Sequence, residues 1–180
     1  MNKTILGLAV SALFVMGAAQ AETNPNDVSA TLTVSGTVTA SQSVCTVSLE
    51  KSSIALSADV STLVAQGVTN TAVDTVDLSI TGDDQCADLV SQGKMAYKFL
   101  GTADAAAGTS LANTAAGEGA ANGIGIALYD TLGQVLSINK DTMAASSTAS
   151  HLGLGLVKLD GVEATAGSVQ GALTIQIERL

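Results

Sequence analysis

Apolar and polar positions alternate with a period of two in two segments at opposite ends of the chain. Leu32, Val34, Gly36, Val38 and Ala40 take every second position near the front, and Val169, Gly171, Leu173, Ile175 and Ile177 do the same near the end. A period of two sends successive side chains to opposite faces of an extended chain, so each segment reads as a β-strand with one dry face and one wet face. A terminal strand at a sheet edge leaves backbone N–H and C=O groups without partners. Alternation alone is equally met by a strand that pairs within its own sheet.

The interior carries the same signal in shorter pieces. Residues 44–49 extend as a strand past Cys45. Val76, Leu78 and Ile80 alternate up to Gly82-Asp83-Asp84, which reads as a turn. Met95, Tyr97 and Phe99 alternate up to Gly101. Residues 101–123 are dominated by Ala, Gly, Thr and Asn, lack apolar periodicity, and read as a long surface connection. Ile124, Ile126 and Leu128 form the next strand, and Asp130-Thr131-Leu132-Gly133 turns it into 135–138 as a hairpin. A polar loop over 141–150 precedes Leu152, Leu154 and Leu156, Asp160-Gly161 turns the chain, and the last strand covers about 168–178. Residues 54–64 follow no clear period. Seven to nine short strands without a helix predict one all-β domain, an antiparallel sandwich of immunoglobulin-like type.

The first residues read as an export signal rather than as part of that domain. Lys3 precedes an uncharged, mostly apolar run over 5–19, and Ala19-Gln20-Ala21 offers the small residues a signal peptidase reads. The run falls short of the roughly 20 residues that span a bilayer, and no second one follows, so stable membrane insertion is not expected. Cleavage after Ala21 gives a division into a signal peptide over 1–21, an extension over 22–40 and a folded domain over 41–180.

Charge and composition narrow the function. The chain has 7 basic and 16 acidic residues, a formal net charge of −9, and loss of Lys3 makes it more negative still. That balance argues against nucleic acid and against an anionic membrane surface as partners. Outside the signal the only aromatic residues are Tyr97, Phe99 and Tyr129, too few for the stacking platforms of a sugar or base reader or for the girdles of an outer-membrane barrel. His151 is the one histidine, so any Ser–His–Asp chemistry would have to centre on it, and a solvated histidine at a strand start is the simpler reading. Asp83, Asp84 and Asp88 lack the ligand spacing of a calcium loop, and Gly117-Glu118-Gly119 lacks the flanking strand and helix of a phosphate loop. No catalytic residue, cofactor or metal site is expected. Cys45 and Cys86, the only cysteines, form an even pair in an exported chain and read as a disulfide; closing a loop of that length contributes roughly 4 kcal/mol in the chain-entropy description.

In this order the chain resembles the subunits of chaperone–usher fimbriae, the pilins of type 1-like surface fibres. The residues that carry the resemblance span nearly the whole chain. They are the signal peptide, the extension Val34-Ser-Gly36-Thr-Val38, Cys45, Cys86, Phe99-Leu-Gly101-Thr-Ala-Asp104, Gly123-Ile-Gly125-Ile-Ala-Leu128-Tyr-Asp130, and the alternating C-terminal strand after Gly167. The resemblance implies an immunoglobulin-like sandwich that lacks its final strand, with an N-terminal extension that completes a neighbouring copy by donor-strand complementation. It implies that Leu32, Val34, Val38 and Ala40 fill a neighbour's groove, with Gly36 at its narrow point. Gly167, Val169, Gly171, Leu173, Ile175, Ile177 and Arg179 would form the strand that lines the groove and pairs with a periplasmic chaperone. Arg179 stands where the family usually has Tyr or Phe. Either its aliphatic stem replaces ring packing there, or the chaperone meets the last residues differently.

The implied function is that of a structural subunit exported through the periplasm into a fimbrium on the bacterial cell surface, supporting adhesion. The implied partners are other copies or other pilins, the chaperone and an outer-membrane usher. A minor or tip-proximal subunit that binds a host receptor through loop 101–123 or 141–150 is the alternative.

Overall fold

The structure, a computed structural model, describes Ser35 and residues 43–180. The signal and extension segments, with Leu32, Val34, Gly36, Val38 and Ala40, lie outside the described residues. Every element below belongs to the unit Ser41–Leu180. In chain order these are β1 (Cys45–Leu49), β2 (Val64–Ala65), β3 (Asp74–Gly82), α1 (Asp84–Ser91), β4 (Met95–Gly101), β5 (Leu111–Ala112), β6 (Ile124–Tyr129), β7 (Val135–Leu136), β8 (Thr142–Ala144), β9 (Ser150–Lys158) and β10 (Leu173–Arg179).

The strands form two sheets. One runs β1-β3-β9-β6-β5, with β2 beside β9 and β7 beside β6, and the other runs β10-β4-β8. Reading only the principal strands, β1, β3, β9 and β6 reproduce the A-B-E-D order of an immunoglobulin sandwich, and β10 and β4 reproduce its F–C pair. Among the described residues the fold is all-β apart from one short helix.

The periodicity is realised as burial. In β4 the inward residues Met95, Tyr97 and Phe99 are 0% exposed, and Val76 and Leu78 of β3 meet them with Leu128 of β6 and Leu152 and Leu154 of β9 in one core. Tyr97, Phe99 and Tyr129 are all fully buried, so none of these rings is available for recognition. The hairpin at 130–133 forms as the sequence implies. Asp130 Oδ1 accepts from the N–H groups of Leu132 and Gln134, and Gly133 takes φ 74°.

Two expectations are corrected. The Gly82–Asp84 segment starts a helix instead of a plain turn. Asp83 is the N-cap, its Oδ1 accepting from the Cys86 N–H at 2.8 Å, and Gly93 at φ 68° follows the C-terminal end. The inner face of α1 is Cys86 and Val90, one turn apart, and Cys86 is bonded there to Cys45 at a Cα separation of 5.6 Å. The connection 101–123 is not simply a surface loop. It contains β5, and it is organised by Asp104, which is 5% exposed. Asp104 accepts from the backbone N–H groups of Ala106, Ala107, Gly108 and Ser110 and from Gln66 Nε2, while Gln66 Oε1 accepts from the Asp160 N–H. Asp104 and Gln66 together thus tie three loops together without any apolar periodicity.

Burial raises the Asp104 pKa, but the hydrogen bonds from Ser110, Gly108, Ala106 and Gln66 outweigh it and hold the carboxyl below its ordinary 3.8. A depressed folded-state pKa contributes stability above the unfolded value, and that contribution is lost as pH falls through the folded one. Asp104→Asn is expected to lower stability at pH 7 by about 1–3 kcal/mol. It is also expected to flatten the fall in stability below about pH 4. Urea unfolding of both proteins across pH 2–7 checks both outcomes.

Candidate functional site

The two sheets do not close equally on all sides. β10 pairs along one edge with β4, in the register Leu173↔Gly101, Ile175↔Phe99, Ile177↔Tyr97 and Arg179↔Met95. Its other edge has no strand hydrogen-bonded to it among the described residues. This is the place of the seventh strand of an immunoglobulin sandwich, beside F on the side away from C. β1 forms the corresponding edge of the other sheet and lies beside β10.

The side chains along this margin are only partly covered among the described residues. Directly paired residues share a sheet face, so Ile175 points with Phe99, and Ile177 with Tyr97. Yet Phe99 and Tyr97 are fully buried, whereas Leu173, Ile175 and Ile177 are only half-buried. Val47 of β1, with Ile54 and Leu56 just beyond it, is half-buried against the same core. An apolar seam therefore runs between β1 with its continuation and β10. Ile54 and Leu56 were not singled out in the sequence, although their two-residue spacing within 54–64 was the available signal. Where that segment meets the start of the closing strand, a 300 Å³ cavity is bordered by Val60, Leu63, Ile124, Leu156, Gly167 and Val169.

The closing strand differs from its expected form, a single element over about 168–178. Its first part pairs with the other sheet's loop. The Ser168 N–H donates to the Gly119 carbonyl at 2.8 Å, the Ala121 N–H to the Ser168 carbonyl at 3.0 Å, and the Thr114 N–H to the Gln170 carbonyl at 2.8 Å. Only from Leu173 does it join β4. Val169 packs on the core, and Gly171 sits close over Ile126, where a Cβ would approach its Cδ1 to 2.8 Å. Gly167 permits the crossing: a Cβ there would lie 2.4 Å from the Ala121 nitrogen and 2.7 Å from the Gly119 carbonyl oxygen. Arg179, the last residue of β10, extends Nη2 to the Ser43 carbonyl at 2.7 Å, bridging the end of the seam.

The other candidates for chemistry are separate and unremarkable. His151 Nδ1 meets Asp77 Oδ1 at 2.5 Å on the exposed side of the sheet. Asp83 serves the helix cap, and no metal-binding cluster is found among the described residues. Among the described residues, no helix is long and apolar enough to cross a membrane.

The close approach at Gly167 predicts its own sensitivity. Gly167→Ala is expected to destabilise the domain by about 1–3 kcal/mol, because the obstructing atoms are backbone. Gly119→Ala, with open space around the added carbon, is expected to change stability by less than about 0.5 kcal/mol. Chemical denaturation of the two variants provides the comparison.

No curated protein matches the chain. Among solved structures, the P pilus rod subunit PapA is similar at a TM-score of 0.49 and 14% identity, covering 83% of this chain and 100% of that one. The model of the fimbrial protein family matches residues 28–178, from the extension through nearly all of β10. The chain belongs to the fimbrial protein family, a family of pilus structural subunits rather than of enzymes.

Proposed function

We propose that the chain is a shaft subunit that polymerises by strand exchange. Residues 32–40 of one copy lie along the free edge of β10 in the next. The observation that carries this reading is the edge of β10 that no strand pairs among the described residues, above a half-buried apolar row, at the position of an immunoglobulin sandwich's seventh strand. An added strand would satisfy the backbone groups of that edge and cover Leu173, Ile175 and Ile177. Burying three or four aliphatic side chains of the donor gives roughly 5–12 kcal/mol before ordering costs. The row of backbone hydrogen bonds strengthens the joint further.

Leu32, Val34, Val38 and Ala40 are the groove-filling positions in this scheme, and Gly36 passes the narrow point where a side chain does not fit. Before assembly, the strand of a periplasmic chaperone occupies the same edge. Export through the periplasm, handover at an outer-membrane usher and a contribution to adhesion at the cell surface complete the proposal.

A second reading has one observation in its favour. A 570 Å³ cavity lined by Asp130, Thr131, Thr142, Ser146, Thr148 and His151 lies beside the 141–150 loop, where a minor or tip-proximal subunit would hold a host receptor. Heat- and detergent-resistant multimer ladders with many copies per fibre favour the shaft subunit; a single copy per fibre favours the minor one.

Gly36→Arg puts the largest change at the narrowest point of the proposed plug and leaves the domain over 43–180 untouched. The variant is expected to be exported and folded, while fibres detected by electron microscopy are lost. Normal fibres from the variant would rule out the assigned donor segment.

A further inference from the structure

The chain enters the described domain at Ser43, and Arg179, Asp83 and Cys86 hold its first three described residues. The Arg179 guanidinium donates to the Ser43 carbonyl at 2.7 Å. The Val44 N–H donates to Asp83 Oδ2 at 3.1 Å, and the Val44 carbonyl accepts from the Asp83 N–H at 3.4 Å. Cys45 is bonded to Cys86. Asp83 is itself fixed as the cap of α1, and Gly82 lets the two segments touch, since a Cβ there would lie 2.1 Å from the Val44 carbonyl oxygen.

These contacts have different origins. Asp83 and Cys86 attach residues 44 and 45 to the β3–α1 corner, next to the strand that β1 already pairs with. Arg179 comes from the opposite sheet, at the end of β10, where it faces Met95 and where the Leu180 N–H donates to the Lys94 carbonyl at 2.9 Å. Ser43 is 7% exposed, so its carbonyl is largely withdrawn from water and depends on this donor. A guanidinium suits the task. Its aliphatic stem spans the margin, and its head is always charged and carries several N–H donors. A phenylalanine ring has no such donor.

We propose that Arg179 is a positioning residue for assembly. It ties the last residue of the accepting strand to the root of the donating segment, so that the segment leaves each subunit from a fixed point beside the free edge of β10. The proposal rests on the strand-exchange reading above. A fixed root leaves less freedom to be lost when the segment inserts into a neighbour, and it narrows the range of angles between subunits.

The test compares the disulfide-intact, full-length exported protein with R179A, R179K and R179F. In R179A fibres, amide hydrogen exchange over residues 43–46 should rise about tenfold or more, as expected for loss of a charge-assisted hydrogen bond, while β3, β6 and β9 exchange as before. Electron micrographs of the same fibres should show a wider spread of angles between neighbouring subunits. R179K keeps a cation and N–H donors on a long stem and should restore most of the protection, whereas R179F should not. Unchanged exchange over 43–46 in R179A overturns the proposal, as does a uniform rise across the domain or full protection in R179F. If R179A does not assemble, the same comparison on the monomer decides: a local rise supports the proposal and its absence overturns it. Failure of the unaltered chain to polymerise would instead overturn the strand-exchange reading, and exchange in the monomer would still settle the role of Arg179.

Discussion

Every residue of a β-strand offers one N–H and one C=O, and these point alternately to its two edges. β10 has a strand on one edge only among the described residues, so half of its backbone groups lack a sheet partner. Its inward side chains are in the same position. Ile175 and Ile177 lie beside fully buried rings and yet stay half-exposed. Backbone and side chains thus ask for the same thing, one further strand with apolar residues at alternate positions. Most proteins protect such an edge with charges, bulges or a covering element. Here the edge is long, regular and apolar on its inner face.

The rest of the domain keeps that edge in place. Tyr97 and Phe99 are spent on the core beneath it, directly paired to β10. Gly167 allows the closing strand to pass backbone-to-backbone along 119–121 before it changes sheets, which fixes where β10 begins. Asp104 orders its own loop and holds Gln66 through five donors, replacing the hydrophobic cover those small residues lack. The disulfide, the Asp83 cap and Arg179 fix the other border, at the start of β1. Under the proposed strand exchange, two fixed borders would preorganise the edge and reduce what is lost on association.

Much of this was legible in the sequence because one rule, alternation, governs β3, β4, β6, β9 and β10, each of which turns one face to the same core. The helix escaped because it is short, its inner face is chiefly Cys86 and Val90, and its cap residue Asp83 is equally at home in a turn. The order within loop 101–123 is not legible because Asp104 organises it by hydrogen bonds, which leave no period in the apolar residues. The sheet change before Leu173 was invisible for a different reason. Val169, Leu173, Ile175 and Ile177 keep facing inward on both sides of it, so the alternation runs through unbroken. The contact from Arg179 to Ser43 joins residues at opposite ends of the domain, and no local pattern encodes it.

What lies against the free edge of β10 in an assembled fibre is the deciding observation. A photo-crosslinking residue in place of Ile175, in fibres grown from a mixture of isotopically light and heavy subunits, identifies that neighbour directly by mass spectrometry. The expected product joins position 175 to a peptide within residues 32–40, with light-to-heavy pairs at the frequency of random mixing between different copies. Products that link position 175 only to its own chain, or to any segment outside 32–40, would contradict the account.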